Sequence, residues 1–156
     1  MAIADMFLKL KGVTGETQDA DHKGEVDVVS WSWGMEAPRS VVGGAATGKT
    51  TISELHVVKR VDQSSPTLMR FLRNNKLVSD ATLTVRKAGK TPLEYFKVEL
   101  ENVRVTSLRT ESENSELTEH VKLGFSKVRV SYIPQDEGGG AGGGENVFET
   151  DAHAGV

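Results

Sequence analysis

The chain lacks cysteine, a long apolar segment and an excess of basic residues, and each absence excludes a class of protein. With no Cys in 156 residues there is neither a disulfide framework nor thiol chemistry. No apolar segment approaches the length that crosses a membrane. Asp and Glu number 22 against 19 Lys and Arg, for a net charge of −3. This balance disfavours binding to DNA or RNA, because phosphates require a basic surface.

The N-terminal segment also lacks the features of a secretory signal peptide. Asp5 places an acid near the start and Lys9 interrupts the apolar stretch, so no basic region is followed by a continuous apolar one. We therefore expect synthesis in the cytoplasm and, if the protein leaves the cell, export by a route that uses no signal peptide.

Aromatic side chains are few, with two Trp and two Tyr. An exposed platform on which a carbohydrate or small ligand stacks is therefore poorly supplied. Alternation at period two places Val29, Trp31 and Trp33 on one side of a strand and Ser30 and Ser32 on the other. We expect both tryptophans in the core.

The chain does contain repeated alternation of apolar and polar residues, which is typical of β-strands. Such segments cover residues 6–13, 25–33, 51–61, 81–87, 94–100, 103–112 and 120–133. The alternation changes phase near Val28, at 101–102 and at 126–127, as expected at β-bulges. Strands of shifting phase suit a curved, closed sheet, so we predict a mainly β fold built as a closed β-barrel.

One helix is predicted between the strands. Ser65 can cap it, Pro66 suits its first position, and Asn74 and Asn75 can end it. Its apolar stripe consists of Leu68, Met69, Phe71 and Leu72. We expect this stripe to pack against the sheet.

The composition changes beyond Pro134. Residues 138–144 are glycine except for Ala141, and no core-forming pattern follows them. We predict a β-barrel domain over residues 1–135 and a flexible, glycine-rich tail over residues 136–156.

Residues 43–50 match the phosphate-loop pattern G-x-x-x-x-G-K-[ST] at every position. The motif binds nucleotide only where the loop leads into a helix, whose N-terminus and backbone N–H groups hold the phosphates. The residues after Thr50 are rich in β-branched side chains and predict a strand instead. We expect a loop that joins two strands.

No other constellation points to catalysis or to a metal. The four histidines are His22, His56, His120 and His153, and no two are spaced to share one helical face. The segment from Asp19 begins like a calcium loop, but Lys23 stands at a ligand position and Ser30 where a Glu is required. We predict no enzyme activity and no cofactor.

Six short segments occur in a characteristic order. They are DMFLK at 5–9, EVDVVSWSWG at 25–34, the glycine-rich loop ending at Lys49, SPTLM at 65–69, TVRKAG at 84–89 with EY at 94–95, and LTEHVKL at 117–123. Together they resemble the hemolysin-coregulated protein (Hcp) family, the tube subunit of bacterial type VI secretion. The resemblance covers most of residues 3–134 and leaves the tail outside it.

The resemblance implies a barrel of two sheets with one flanking helix, similar to phage tail tubes. It implies homo-hexameric rings that stack into a tube, which a contractile sheath drives outward behind a VgrG-type spike. It further implies that the ring lumen carries effector proteins, and that the protein is made in the bacterial cytoplasm and secreted without a signal peptide.

Two sets of residues are candidate sites in such a ring. Ser30 and Ser32 point away from the predicted core, towards the lumen in the family's arrangement. Within the loop 34–50, two valines amid glycines are costly to leave in water and are flanked by basic residues. The resulting candidates for contacts between stacked rings are Arg39, Val41, Val42 and Lys49.

Two alternatives remain open. In the first, the chain is a monomeric β-barrel that binds a ligand. In the second, residues 43–50 form a nucleotide site. Particle size separates rings from a monomer, and Lys49-dependent ATP binding identifies a nucleotide site.

Overall fold

The structure, a computed structural model, describes residues 4–38, 50–87, 92–136 and 140–152. Over these ranges the fold is mainly β with a single helix, as the sequence predicts. The strands are β1 (Ala4–Leu10), β2 (Val26–Asp27), β3 (Ser30–Ser32), β4 (Met35–Glu36), β5 (Thr51–Ile52), β6 (Leu55–Arg60), β7 (Val78–Lys87), β8 (Leu93–Glu113), β9 (Glu116–Gly124), β10 (Lys127–Tyr132) and β11 (Asn146–Asp151), and the helix α1 spans Ser65–Arg73.

The long strand β8 joins the two halves of the main sheet. Its first half pairs with β7 on one side and β10 on the other, and its second half pairs with β9. Between the halves lies Asn102, which has a positive φ of 53° and donates a side-chain hydrogen bond to the Ser126 hydroxyl. Ser126 in turn lies in the break between β9 and β10. These are the two places where the alternation changes phase after residue 100. The structure has a left-handed residue and a break between strands there rather than the predicted bulges, and the register of β8 against β9 shifts between Val105 and Ser107.

The order of paired strands begins with β2 and ends with β3, which are neighbours in the sequence. β2 pairs with β1, whereas β3 pairs with β6. The chain changes partner in between, because the Val28 N–H donates to the Met6 carbonyl and the Val29 N–H donates to the Val58 carbonyl. This change of partner explains the phase shift predicted near Val28. The described pairing order is itself open, so it does not establish the predicted closed barrel.

One cluster of buried apolar side chains unites both halves of the sheet. The side chains with at most 1% of their surface exposed are Leu8, Val26, Leu55, Val57, Leu68, Leu83, Val98, Leu100, Val103, Val121, Leu123 and Val128. Burial of each stabilises the fold by about 1.5–3 kcal/mol before conformational entropy is considered. Nearly all lie on strands at alternating positions, which is why the periodicity of the sequence predicts them.

Helix α1 packs one side on this core. Leu68 is buried and Phe71 and Leu72 pack against the cluster, whereas Met69 is 41% exposed. Asn75 ends the helix with a φ of 51°, the left-handed conformation that Asn tolerates. No helix in the described ranges is long and apolar enough to cross a bilayer.

A buried ion pair lies beneath the start of α1. Lys59 and Glu119 are both fully buried, with 2.8 Å between Nζ and Oε1. The Ser65 hydroxyl donates to the same carboxylate at 3.0 Å and accepts from Lys59 at 3.2 Å. The prediction that Ser65 caps the helix is therefore wrong, because Ser64 stands at the N-cap, and Ser65 is the first helical residue, with its hydroxyl committed to this pair. The network connects β6, β9 and α1.

A second polar cluster fastens the loop after β1 to the sheet. His22 contacts two carboxylates, Glu25 at 3.0 Å from Nδ1 and Glu94 at 2.7 Å from Nε2. Its ring stacks on Phe7 with 4.2 Å between centroids, and the Arg86 guanidinium lies 5.0 Å from the centre of the same Phe ring. Burial is the largest influence and disfavours the proton, yet the two carboxylates outweigh it and raise the pKa of His22 above its ordinary 6.5.

The last described segment is a strand rather than a tail. β11 pairs with β10 along its full length. The prediction of a flexible tail over 136–156 is therefore wrong for Asn146–Asp151. None of the β11 side chains is buried. Backbone hydrogen bonds and exposed ion pairs such as Lys127–Glu149, at 2.8 Å, hold this strand, and they leave no apolar pattern in the sequence.

Candidate functional site

The outer face of β3 consists of small polar side chains. Ser30 and Ser32 are exposed, whereas Trp31 turns to the core and stacks on Phe96 with 5.5 Å between ring centroids. Trp33 also packs against the core, so the predicted separation of tryptophans from serines is confirmed. Val29 departs from it with 42% of its surface exposed, because the chain changes from β1 to β6 at this point.

Strand register places the two serines in two rows across β3, β6, β9 and β8. The first row contains Ser32, His56, Lys122 and Ser107, and the second contains Ser30, Val58, His120 and Arg109. All eight side chains are exposed or half-buried. Their strand neighbours, such as Val57 and Val121, are fully buried on the opposite face. We call the eight residues of these two rows the serine–histidine face.

Two histidines meet at the centre of this face. His56 Nε2 and His120 Nδ1 are 3.0 Å apart, so one ring donates a hydrogen bond to the other. Burial is the main cause that lowers the pKa of His56 below its ordinary 6.5. The positive charges of His120, Lys122 and Arg109 act in the same direction. At neutral pH the His56 ring is therefore neutral.

Glu111 borders the serine–histidine face and is the carboxylate nearest to the histidine pair among the described contacts. It lies 2.7 Å from the Arg109 guanidinium and 3.5 Å from His120 Nε2. Both Arg109 and Glu111 are well exposed, at 68% and 36% of their side-chain surface, so water screens this pair. Glu111 thus offsets only part of the positive charge on the face.

Sequence reasoning missed the histidine pair. His56 and His120 each lie at an outward-facing position of their strand, and the period-two alternation of the sequence predicts these positions. Their contact also requires β6 to pair with β9 so that His56 lies opposite Lys122 and His120 opposite Val58. A search for two histidines on one helical face does not detect such a pair.

The other predicted site lies outside the described residues. Arg39, Val41, Val42 and Lys49 all fall within 39–49. The structure resumes at Thr50, the last residue of the phosphate-loop pattern, and continues directly into β5. β5 is a strand that pairs with β4, so the helix that a phosphate loop requires does not follow. This confirms the expectation of a strand after Thr50.

Within the described part of the chain, no group of three or more His, Asp or Glu residues is arranged to hold a metal ion. The facing nitrogens of the histidine pair are hydrogen-bonded to each other. The face offers a surface of hydroxyls, imidazoles and cationic side chains.

Comparison with known proteins connects this architecture to a family. The family model described as "Type VI secretion system effector, Hcp" matches residues 7–132, from β1 to the end of β10. The chain belongs to the Hcp family. Protein hcp1 of Pseudomonas aeruginosa is 41% identical to this Hcp-family chain over 145 residues, which cover 90% of each.

Solved structures agree with this membership. Hcp1 from Salmonella typhimurium is 28% identical, with a TM-score of 0.79 over 99% of each chain. A structure described as a type six secretion system protein reaches a TM-score of 0.87 over 97% of this chain and 98% of its own, at 23% identity, and supports the fold alone. As a member of the Hcp family, the chain is a structural subunit of the type VI secretion tube, which is built from rings and is secreted by that system.

Proposed function

We propose that six copies of this chain form a ring, that the rings stack into the tube, and that Ser30 and Ser32 line its lumen. The observation that carries the proposal is the unbroken family match over residues 7–132, which includes both rows of the serine–histidine face. In the family's arrangement this face borders the lumen. The small side chains of the serines leave space there for a cargo protein.

The sheet of each subunit closes into a barrel through the segment that contains β2 and β3. This segment pairs with β1 at one end and with β6 at the other, the two strands that otherwise end the sheet. The hydrogen bonds from Val28 to Met6 and from Val29 to Val58 support this closure. A closed sheet leaves few unpaired edges within the subunit.

Neighbouring subunits meet at the edge that β11 presents. Among the strands that the structure describes, β11 pairs with β10 alone, and its exposed side chains include Val147 at 47% and Phe148 at 44%. An unpaired strand edge with exposed apolar groups promotes association, and a closed ring satisfies every such edge without open-ended growth.

The loop 34–50 makes the contact between stacked rings, through Arg39, Val41, Val42 and Lys49. An effector protein in the lumen, a VgrG-type spike at the tip and a contractile sheath outside are the remaining partners. Export of the assembled tube needs no signal peptide, since the tube leaves through the secretion system. The function is mechanical and includes no chemical step.

Particle mass tests the proposal. Size-exclusion chromatography with light scattering should give six chain masses, and negative-stain images should show rings. Replacing Val41 and Val42 by Asp should leave the rings intact and abolish tubes, because two charges then oppose the ring contact. A monomer in solution would contradict the ring and favour the alternative of a monomeric ligand-binding barrel. Unchanged tubes from the double variant would refute the role of the loop and leave the ring unaffected.

A further inference from the structure

The serine–histidine face carries a positive charge on a chain that is acidic overall. Lys122 and Arg109 are exposed on the face itself, and Arg60 is exposed at its border. The only carboxylate paired with these groups in the described ranges is Glu111, whereas the whole chain has a net charge of −3. Three cations thus accompany a single paired carboxylate on this part of the surface, against the overall balance of the protein.

This charge is available to a partner. Among the described residues no carboxylate lies within 4.0 Å of the Lys122 ammonium. The Arg109 guanidinium contacts Glu111 but remains 68% exposed. Exposed cations without a buried partner bind an incoming carboxylate at little desolvation cost.

The histidine pair adds a charge that varies with pH. The bond of 3.0 Å between His56 and His120 requires a proton on only one of the two facing nitrogens. Protonation of His56 adds positive charge beside Lys122, and its lowered pKa places this change in acidic solution. The charged groups that face the pair are Lys122, Arg109, Arg60 and Glu111, with Glu54 and Arg104 at the far end by Gly124. β3 contributes only the two serines.

We infer that the serine–histidine face binds acidic segments of protein cargo and binds them more tightly in mildly acidic solution. The complementarity is between carboxylates of the cargo and the cations of the face, and it sets which cargo is accepted. This inference deepens the proposed function. It rests on that function only for the location of the face in the lumen.

The arrangement favours an acidic protein over a nucleic acid. The cations are separated by serines and by Val58, and Glu111 interrupts them. A nucleic acid requires a continuous basic track along its phosphates, which the separated cations of this face do not form. A protein segment with scattered Asp and Glu side chains fits the pattern, and the exposed hydroxyls of Ser30 and Ser32 can bond to its backbone.

The test uses the full chain and a fluorescein-labelled peptide of alternating Glu and Ser, followed by fluorescence anisotropy. Replacing Lys122 and Arg109 by Ser should weaken binding by roughly tenfold, since each exposed charge contributes a modest amount. The matched control is Lys9→Ser with Lys11→Ser, which removes two exposed cations from β1 and its following turn. The control should bind as the unmodified chain does.

The pH dependence is measured with the same peptide carrying a rhodamine label in place of fluorescein, so that neither the label nor the Glu side chains change charge. Affinity should rise as the pH falls from about 6.5 to about 5.5 in the unmodified chain, because the His56 imidazole gains its proton below its ordinary range. The rise should disappear when His56 and His120 are both replaced by Asn. Three outcomes would each overturn the inference. They are the absence of saturable binding, an equal loss of peptide affinity in the Lys122 and Arg109 variant and in its control, and an unchanged pH profile in the histidine variant.

Two further readouts separate this inference from the others. Light scattering on the same samples reports ring formation, so an intact ring that does not bind the peptide overturns the inference and leaves the tube function standing. A monomer that binds the peptide through Lys122 and Arg109 overturns the ring and leaves the acidic-segment site standing. A single-stranded oligonucleotide of equal charge that binds more tightly than the peptide overturns the choice of protein as partner.

Discussion

His22 and His56 are placed in opposite electrostatic environments by the fold. His22 lies between the carboxylates of Glu25 and Glu94, which raise its pKa. His56 is partly desolvated and lies near His120, Lys122 and Arg109, which lower its pKa. The folded state therefore favours the protonated form of His22 and the neutral form of His56.

These shifts predict pH profiles of opposite sign. His22 binds its proton more tightly in the folded state, so its stabilisation is complete below its unfolded pKa of 6.5 and is lost as pH rises through the higher folded value. The loss of stability in His22→Gln should thus be larger at about pH 5.5 than at about pH 8.5. Urea unfolding at fixed protein concentration measures it.

His56→Gln is the matched comparison. His56 binds its proton less tightly in the folded state, so the unmodified chain loses stability as pH falls from 6.5 through the lower folded value. The variant lacks this penalty and should gain stability relative to the unmodified chain at acid pH. Parallel profiles for the two variants would contradict at least one of the two assignments.

At the scale of elements, the Lys59–Glu119 pair ties helix α1 to two strands. Glu119→Ala leaves a buried ammonium beside only the Asp62 carboxylate, 3.1 Å away, and should destabilise the fold by about 3–5 kcal/mol. Replacing Lys59 by Met and Glu119 by Leu together should recover most of that loss, because apolar side chains of similar volume need no partner. Chemical denaturation measures both.

The exposed Lys127–Glu149 pair provides the control. Lys127→Ala should change the free energy of unfolding little, because both side chains are about two-fifths exposed and water screens their attraction. If Glu119→Ala were as mild as Lys127→Ala, the ion pair beneath α1 would have to be open to water.

The elements also show how far sequence periodicity reaches. Most strands and α1 were predictable because each buries an apolar face of its own, as Leu55 and Val57 do on β6. β11 was not, because it buries no side chain and is held by its backbone ladder with β10. The histidine pair was only half predictable. Alternation in the sequence predicts that both side chains face outward, whereas their contact depends on the register of β6 and β9.

At the scale of the whole molecule, we expect β11 to contribute to assembly of the ring and little to folding of the subunit. Ending the chain at Asp136 removes β11, and none of the removed residues that the structure describes is buried. The truncated chain should therefore keep its β-rich circular dichroism spectrum and most of its stability. It should lose the ring, because the edge at Val147 and Phe148 is gone.

Light scattering tests this directly. Full-length chain at the same concentration is the reference, and the spectrum of the truncated chain confirms that it is folded. A truncated chain that still forms six-membered rings would place the subunit contact at a different surface and leave β11 without a role in assembly.

Local sequence was sufficient for the class of fold, for the separation of Ser30 and Ser32 from Trp31, and for rejecting a helix after Thr50, because period and propensity act over a few residues. The ordered segments were sufficient for the resemblance to the Hcp family. Only the tertiary structure brought His56 to His120, buried Lys59 against Glu119 and paired β11 with β10. Each of these contacts joins distant parts of the chain, and strand register, which no short segment encodes, decides them.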